Sequence, residues 1–325
     1  MVKLGRNFTN TLVLDKLTKK QKDIILSGKE PLFSMNAFGI LKFKDDIEGQ
    51  IRYAKKLGTN HIELDFDVPN NYLYMSKERI KKVRAYAEKN EVTLSAHLSY
   101  TNIGSCITSI QEEERMLSVG IHKTYMDFAS KLGIKHLTTH PGRVAFYMMS
   151  PAFLAKIRGQ FKRSLIEMAD YATKRRCVLH LENNVSFDNI YVEPEDCIEI
   201  LQEVRKEGAE IYFNFDIGHW LTREVGGSKM ITYPPEKIIE KFPAGLCKLF
   251  HLNSFIVEGV VFHPPLHRES GKLKRKNLVD YYRIIKDKGV EIIILETAFK
   301  FLDEVKERHT ILKEETKYIK EIFAE

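Results

Sequence analysis

Eight short apolar runs alternate along this chain with longer segments that show the apolar spacing of helices. The runs are LFSMNAF, HIELDF, VTLSAH, IKHLTTH, CVLHLEN, IYFNFD, LFHLNSF and EIIILETAF. The segments between them include DIEGQIRYAKKLG, KTYMDFASKLG, FKRSLIEMADYATKRR and LVDYYRIIKDKG. Strands that alternate with helices pair in parallel through right-handed crossovers, which indicates an α/β fold. Eight such runs in 325 residues favour a (β/α)8 TIM barrel over the alternative, a doubly wound sheet.

The domain organisation follows from where the first apolar run begins. We expect residues 31–325 to form one TIM-barrel domain and residues 1–30 to form a short N-terminal extension that contains a helix within KLTKKQKDIILSG. Gly58, Gly133 and Gly289 follow the last turns of predicted helices, where a left-handed cap is favoured. A less regular region with paired Gly and paired Pro residues covers about 221–243.

The composition indicates a folded protein in a reducing compartment. The four cysteines are scattered, without the paired spacing of a zinc ribbon or redox motif. The N-terminus lacks the apolar core of a signal peptide, and no run approaches the roughly 18 apolar residues of a membrane span. We therefore expect a cytoplasmic protein that does not bind membranes. The net charge of +7 suits an anionic partner such as a sugar phosphate or nucleic acid, but a lysine-rich solvated surface would give the same value.

Polar side chains stand at the ends of most of these apolar runs. They are His97, His140, Glu182, Asp216 with His219 just beyond it, and Glu296, and His251 lies within LFHLNSF. In a TIM barrel the C-terminal ends of all strands meet on one face, where active sites are built. The sequence therefore predicts that these side chains gather around one site.

Carboxylate and imidazole groups from separate strands form a mixed oxygen and nitrogen site suited to Zn, Mn, Co or Fe. Buried carboxylates without a partner are costly, so the cluster of Glu182, Asp216 and Glu296 favours a bound cation. Taken singly, each residue has an ordinary structural interpretation, because a strand-end Glu often bonds a helix terminus and a lone His often packs in a core. His180 shares the strand face of Glu182, and we interpret it as a packing residue or a support for the ligands.

The sequence resembles the xylose-isomerase-like TIM barrels over roughly residues 32–300. The resemblance is carried by HIELD, LSAH, LTTHPG, LHLEN, FDIGH, FHLNS and IILE. This superfamily includes sugar phosphate isomerases and epimerases as well as AP endonucleases of the endonuclease IV type. The motif series is specific for the superfamily and weak for the reaction.

The isomerase and epimerase branch implies one divalent metal (Zn, Mn or Co) held by Glu182, Asp216, His251 and Glu296. The resemblance also implies that Glu182 and Glu296 are the catalytic acid–base pair. A metal that polarises a carbonyl and its neighbouring hydroxyl lowers the pKa of the C–H between them. One Glu then removes that proton, and its return to another face or carbon gives epimerisation or isomerisation.

The endonuclease branch implies further zinc ions. Candidate ligands for a second metal site are His97, His140, His219 and His267, although His263 is an alternative to His267 in VVFHPPLHRESGKL. The Asp expected two residues before that His is absent in either alignment, and NNVSFDN replaces the Gly-rich stretch expected after Glu182.

Three residues are candidates for contacting the substrate. Tyr100 lies in a loop similar to one that approaches DNA in the endonucleases, and Arg143 in HPGR is a candidate phosphate contact. Lys272 lies in HRESGKLKRK, where loops after the seventh and eighth strands often bind phosphate. The same loop could equally be a solvated surface.

We predict a divalent-metal-dependent isomerase or epimerase that acts on a small sugar or sugar phosphate. The alternative is an AP endonuclease-like phosphodiesterase with a two- or three-metal site and DNA as its partner. A third class, a barrel that binds a ligand without catalysis, is disfavoured because such a barrel has no need for three clustered carboxylates.

Overall fold

A computed structural model describes residues 2–227 and 229–324 of the chain. Eight parallel strands form a closed barrel. They are β1 (Lys3–Asn7), β2 (His61–Asp65), β3 (Thr93–His97), β4 (His136–Thr139), β5 (Val178–Glu182), β6 (Ile211–Asp216), β7 (Cys247–Leu252) and β10 (Ile292–Glu296). Around the barrel, neighbouring strands follow the order β1-β10-β7-β6-β5-β4-β3-β2. A separate two-stranded antiparallel sheet pairs β8 (Phe255–Ile256) with β9 (Val261–Phe262). The predicted (β/α)8 TIM barrel is confirmed.

The first strand of the barrel is not where the sequence analysis expected it. β1 pairs with both β10 and β2, so it closes the barrel. The expected first strand, LFSMNAF, instead runs into the helix α2 (Ser34–Asp45). The prediction that residues 1–30 form an extension outside the barrel is therefore wrong.

The sequence of β1, KLGRN, lacks the apolar run that predicts a buried strand. Its buried arginine has polar partners from other parts of the chain. Arg6 is fully buried and its Nη1 donates to Glu315 Oε2 at 2.8 Å and to Thr297 Oγ1 at 3.1 Å. Gly5 is required because a Cβ there would lie 2.6 Å from the ring of His61 on β2. A buried charge and a glycine replace the apolar pattern that marks the other strands.

Helices surround the barrel and connect its strands. They are α1 (Lys19–Leu26), α2, α3 (Ile47–Leu57), α4 (Lys77–Lys89), α5 (Glu112–Leu132), α6 (Pro151–Lys174), α7 (Pro194–Lys206), α8 (Ile217–Leu221), α9 (Arg275–Lys286), α10 (Leu302–Lys306) and α11 (Arg308–Ala324). Gly58 and Gly133 adopt the predicted left-handed conformation directly after α3 and α5. Within residues 2–227 and 229–324, none of the helices has the length and apolar character needed to cross a membrane.

The connection between β1 and β2 is long and carries α1 and α2 before α3. Thr18 begins α1 with a capping box, because its side chain accepts the Gln21 N–H and its own N–H donates to Gln21 Oε1. Residues before α1 and at the start of α2 lie beside the loop that follows β10. The helical segment expected in an N-terminal extension is thus an insertion in the first strand–helix connection.

Three histidines fill the N-terminal half of the barrel and are bonded to one another or to hydroxyl groups. His61 contacts Thr93 Oγ1 at 2.8 Å and Ser95 Oγ at 2.9 Å. His180 Nε2 lies 3.1 Å from His136 Nδ1 and its ring is fully buried. His180 is therefore a packing residue at this end of the barrel.

Candidate active site

The C-terminal ends of the strands surround a pocket of about 190 Å³. Strand pairing places the strand-end residues side by side, with Asp65 beside His97 and Asp216 beside His251. The pocket is lined by Asn7, Thr9, Asn10, Asp65, His97, Tyr100, His140, Gly142, Arg143, Glu182, Asn184, Val185, Asp188, His219, His263 and Glu296. The fold thus brings residues from all eight barrel strands, or from the connections that follow them, to one polar cavity.

The motif FDIGH places its Asp and His by local geometry. Asp216 ends β6 and is also the N-cap of α8, so its Oδ1 accepts the His219 N–H at 2.7 Å. Gly218 between them is required, because a Cβ there would collide with the side-chain oxygen of Asn253. The three-residue spacing therefore turns both side chains toward the same site.

Glu182, Asp216, His251 and Glu296 converge at the pocket, and Glu182 and Glu296 line it. His251 Nδ1 lies 3.1 Å from Glu182 Oε2, 3.4 Å from Glu296 Oε1 and 3.9 Å from Asp216 Oδ2. All but Glu296 are fully buried, and the side chain of Glu296 is 13% exposed toward the pocket. Asn253 Nδ2 donates to Asp216 Oδ2 at 2.6 Å and holds this carboxylate in place.

A fourth carboxylate, Glu63 on β2, contacts the other side of the His251 ring. Its two oxygens lie 3.3 Å and 3.1 Å from His251 Nε2, and both residues are fully buried. Because a carboxylate accepts a hydrogen bond, Nε2 carries a proton. Burial opposes the charged ring, but Glu182, Glu296 and Glu63 raise the pKa of His251 well above its usual range, so without a cation the ring is charged. When the ring is neutral, as a metal ligand must be, the lone pair of Nδ1 faces Glu182, Asp216 and Glu296. Sequence analysis missed Glu63, although its position two residues before Asp65 in HIELD was a usable signal.

His97 and His140 form a second group with Glu182. His97 Nδ1 donates to the Leu98 carbonyl at 3.0 Å, and His140 Nδ1 donates to Asn184 Oδ1 at 3.2 Å. The two Nε2 atoms face each other, 3.1 Å apart, with Glu182 oxygens 3.4 Å and 3.7 Å away. Burial opposes the charged form of His97, but Glu182 raises its pKa to about 10, so without a cation the His97 ring is protonated. When both rings are neutral, both Nε2 atoms carry lone pairs. Two lone pairs at this distance repel unless a proton or a cation lies between them.

The third group combines Asp216 and His219 with His263, which follows β9. His219 Nδ1 lies 3.1 Å from the Asn183 carbonyl, and Nε2 lies 3.7 Å from Asp216 Oδ2. The ring of His263 is 5.7 Å from that of His219, and its Nδ1 lies 3.7 Å from Glu296 Oε2. His267 lies elsewhere, with its Nε2 3.5 Å from Glu314 on α11. Of the two alternatives in this loop, the structure brings His263 to the cluster and not His267.

Burial and neighbouring charges shift the pKa values of Glu182 and Glu296 in opposite directions. Burial raises the pKa of Glu296 well above its usual range, and the carboxylates of Asp216 and Glu182 add to this against the opposing charge of His251. Burial would also raise the pKa of Glu182, but the charges of His251 and His140 hold it well below its usual range. Glu182 is thus the more acidic carboxyl and Glu296 the more basic carboxylate.

These donors fit a divalent cation. Carboxylate oxygens and imidazole nitrogens that lie within 4.8 Å of one another form the group Glu182, Asp216 and His251 and the group Glu63, His251 and Glu296. The buried atoms Glu182 Oε1 and His251 Nδ1 form no hydrogen bond with any residue in the described part of the chain. A cation would satisfy these atoms and offset the clustered negative charge.

The predicted substrate-contacting residues differ in their placement. Tyr100 lines the pocket, where its ring packs edge-on against His97. Arg143 also lines the pocket and its Nε donates to Asp188 Oδ1 at 2.6 Å. Lys272 is not among the residues that line the pocket, and its ammonium pairs with Glu224 at 2.5 Å.

Asp65 lines the pocket and was missed in the sequence analysis. Its carboxylate lies 3.3 Å from the buried ammonium of Lys44, which also donates to the Asp67 carbonyl at 2.7 Å. Lys44 comes from α2, so its role is visible only once the β1–β2 insertion is placed against β2.

Comparison with known proteins assigns the family. The model of the xylose isomerase-like TIM barrel family matches residues 51–322. The chain belongs to the xylose isomerase-like TIM barrel family. A comparison with curated proteins finds no match to this sequence.

Solved structures with the same fold include several sugar epimerases. D-psicose 3-epimerase from Clostridium cellulolyticum H10, determined with D-tagatose, has 13% sequence identity and a TM-score of 0.69, covering 99% of this chain and 98% of that chain. L-ribulose 3-epimerase has 13% identity and a TM-score of 0.67, covering 100% and 95%. The 3-keto-D-glucoside 4-epimerase from E. coli has 15% identity and a TM-score of 0.64, covering 96% and 98%. At these identities the likeness establishes a xylose isomerase-like fold.

Proposed function

We propose that this protein is a divalent-metal-dependent isomerase or epimerase of a small sugar or sugar phosphate. The observation that carries the proposal is the convergence of Glu182, Asp216, His251 and Glu296 at a polar pocket of only about 190 Å³. That volume is below the range of about 300–1,000 Å³ typical of sites for drug-sized ligands, so it suits a small polar substrate. The similar folds of D-psicose 3-epimerase and L-ribulose 3-epimerase support this substrate class.

Glu182, Asp216, His251 and Glu296 would hold the cation, for which Zn, Mn and Co are the candidates. When bound, it would polarise the substrate carbonyl and the neighbouring hydroxyl. Glu63 holds the His251 ring so that Nδ1 is the available nitrogen, and Asn253 fixes the Asp216 carboxylate. The protein therefore supplies an oriented set of ligands before any cation binds.

The two glutamates would move the proton. Glu296 is exposed to the pocket, and the burial and neighbouring carboxylates that raise its pKa make its ionised form a stronger base for the proton on the carbon beside the carbonyl. Glu182 comes from β5, which lies three strands from β10 around the barrel, and so approaches the substrate from a different direction. Return of that proton from Glu296 to the neighbouring carbon would give an isomer. Inversion of the carbon would need a proton delivered from the other side by Glu182, which is ionised and would first take that proton from solvent.

The test is a panel of ketoses and their phosphates incubated with the Mn-, Co- or Zn-loaded protein. D-fructose, D-tagatose and L-ribulose are the first sugars to try, with products separated by chromatography. Glu296→Gln should lower turnover by roughly 10²–10⁴-fold while the protein still binds metal, because it removes a general base. Glu291→Gln at the opposite end of the barrel is the matched control and should leave turnover unchanged. Full activity in Glu296→Gln would reject the acid–base assignment.

A second candidate function, phosphodiester hydrolysis, is favoured by the groups around His97 with His140 and around His219 with His263. Two or more cations a few ångströms apart can activate water and stabilise the leaving oxygen. The test is cleavage of an abasic DNA duplex by the zinc-loaded protein, together with the salt dependence of binding. Binding should weaken steeply with salt if phosphates are recognised. Absence of cleavage with all three ligand groups metal-loaded would reject this function.

A further inference from the structure

A second cavity adjoins the active-site pocket. It also measures about 190 Å³ and shares Thr9 and Asn10 with the first, so the loop after β1 forms the boundary between them. The Phe299 N–H donates to the Asn10 carbonyl at 3.3 Å and joins this loop to the one after β10. We call this second cavity the side compartment.

The outer wall of the side compartment comes from the β1–β2 insertion. Four residues just before and at the start of α2 line one side, namely Leu32, Phe33, Met35 and Asn36. The other side is lined by Ala298, Phe299 and Lys300 from the loop after β10 and by Val305 from α10. The insertion lies outside the strands and helices that a TIM barrel requires. The insertion therefore adds a compartment beside the active-site pocket.

The lining of the side compartment combines one exposed aromatic ring with free polar groups. The side chain of Phe33 is 76% exposed, although phenyl rings are usually buried. Among the described residues, the side-chain amides of Asn10 and Asn36 form no hydrogen bond, and the ammonium of Lys300 interacts with the carboxylate of Glu304 only electrostatically. An apolar ring beside two free amides and an ammonium group is suited to a ligand with an apolar face and several hydroxyl groups.

We propose that the natural substrate is a disaccharide-sized glycoside of the reacting sugar. The reacting unit occupies the active-site pocket, and a second sugar unit lies in the side compartment against Phe33. This inference rests on the proposed isomerase or epimerase function and names its substrate class. The two cavities have equal volumes and a shared boundary, so a ligand of two similar units fills both.

The test compares D-fructose with lactulose and isomaltulose, two disaccharides that carry fructose as their reducing unit. Affinity is measured by calorimetry on the metal-loaded full-length protein, and turnover is measured for the same three sugars. At least one disaccharide should bind about tenfold or more tightly than fructose. Phe33→Ala should reduce this preference to within about twofold. Phe38→Ala, on the same helix but outside the side compartment, is the matched control and should keep the preference.

The outcomes distinguish failure of the proposed substrate class from failure of the proposed isomerase or epimerase function. Turnover of fructose without preference for either disaccharide would overturn the substrate class and leave the isomerase or epimerase function standing. A preference for a disaccharide that persists in Phe33→Ala would also overturn the substrate class, because the second sugar unit would then lie outside the side compartment. Failure to bind or convert any of these sugars or the ketose panel would overturn the proposed function and the inference together.

Discussion

Replacing Glu63 by Gln tests how the barrel prepares its metal ligands. The substitution keeps the size of the side chain and removes the negative charge that faces His251 Nε2 at 3.1 Å. Hydrogen bonds to charged groups contribute about 1.5–3 kcal/mol and neutral ones about 0.5–1.5 kcal/mol, so the expected loss is roughly 1–1.5 kcal/mol. This corresponds to about tenfold weaker metal binding, at the lower end of the effects measured for residues that support metal ligands.

The assay is a competition titration of Zn against a chelator of known affinity, with Glu63→Gln and the wild-type protein measured at the same pH. Glu291→Gln serves as the control because that carboxylate lies at the other end of the barrel, 3.0 Å from Lys248. Unchanged zinc affinity in Glu63→Gln would refute the reasoning. It would mean that His251 is held without Glu63 or that Nδ1 is not the ligand atom.

Three further predictions concern the site and the fold. His263→Ala should weaken binding of a cation at the group of Asp216, His219 and His263. His267→Ala should leave the metal stoichiometry and affinity unchanged in the same titration. Glu315→Gln should lower the free energy of unfolding in urea by about 3–5 kcal/mol, because Arg6 remains buried without its charged partner, and a smaller loss would contradict that account. Burial, helped by nearby positive charge, lowers the pKa of His61 to about 3 in the folded protein, against about 6.5 when unfolded. The unfolded chain therefore binds the additional proton between these values, so the free energy of unfolding should fall as pH drops through this window. His61→Gln should make that dependence shallower in the same denaturation experiment.

The sequence contained most of the barrel because seven of its strands are apolar runs flanked by helical segments. The C-terminal position of His97, Glu182 and Glu296 on such runs was enough to predict that they meet. This follows from parallel strand topology, which aligns equivalent ends regardless of the details of packing. Residue type and strand position together therefore predicted the principal cluster.

The parts that escaped prediction depend on contacts between distant segments. β1 was missed because Arg6 is neutralised by Glu315, which is 309 residues away along the chain. Spacing alone left both histidines of VVFHPPLHRESGKL as candidates, and only the loop's path places His263 at the cluster. The Lys44–Asp65 pair likewise depends on where the β1–β2 insertion rests.

The most direct test of the account is exchange of carbon-bound hydrogen with solvent. The metal-loaded protein is incubated with a ketose in D2O, and deuterium at the carbon beside the carbonyl is followed by NMR. We expect deuterium incorporation that requires metal and is abolished by Glu296→Gln, because that carboxylate carries the proton. Conversion of the sugar with no deuterium incorporation, or incorporation that persists in Glu296→Gln, would contradict it.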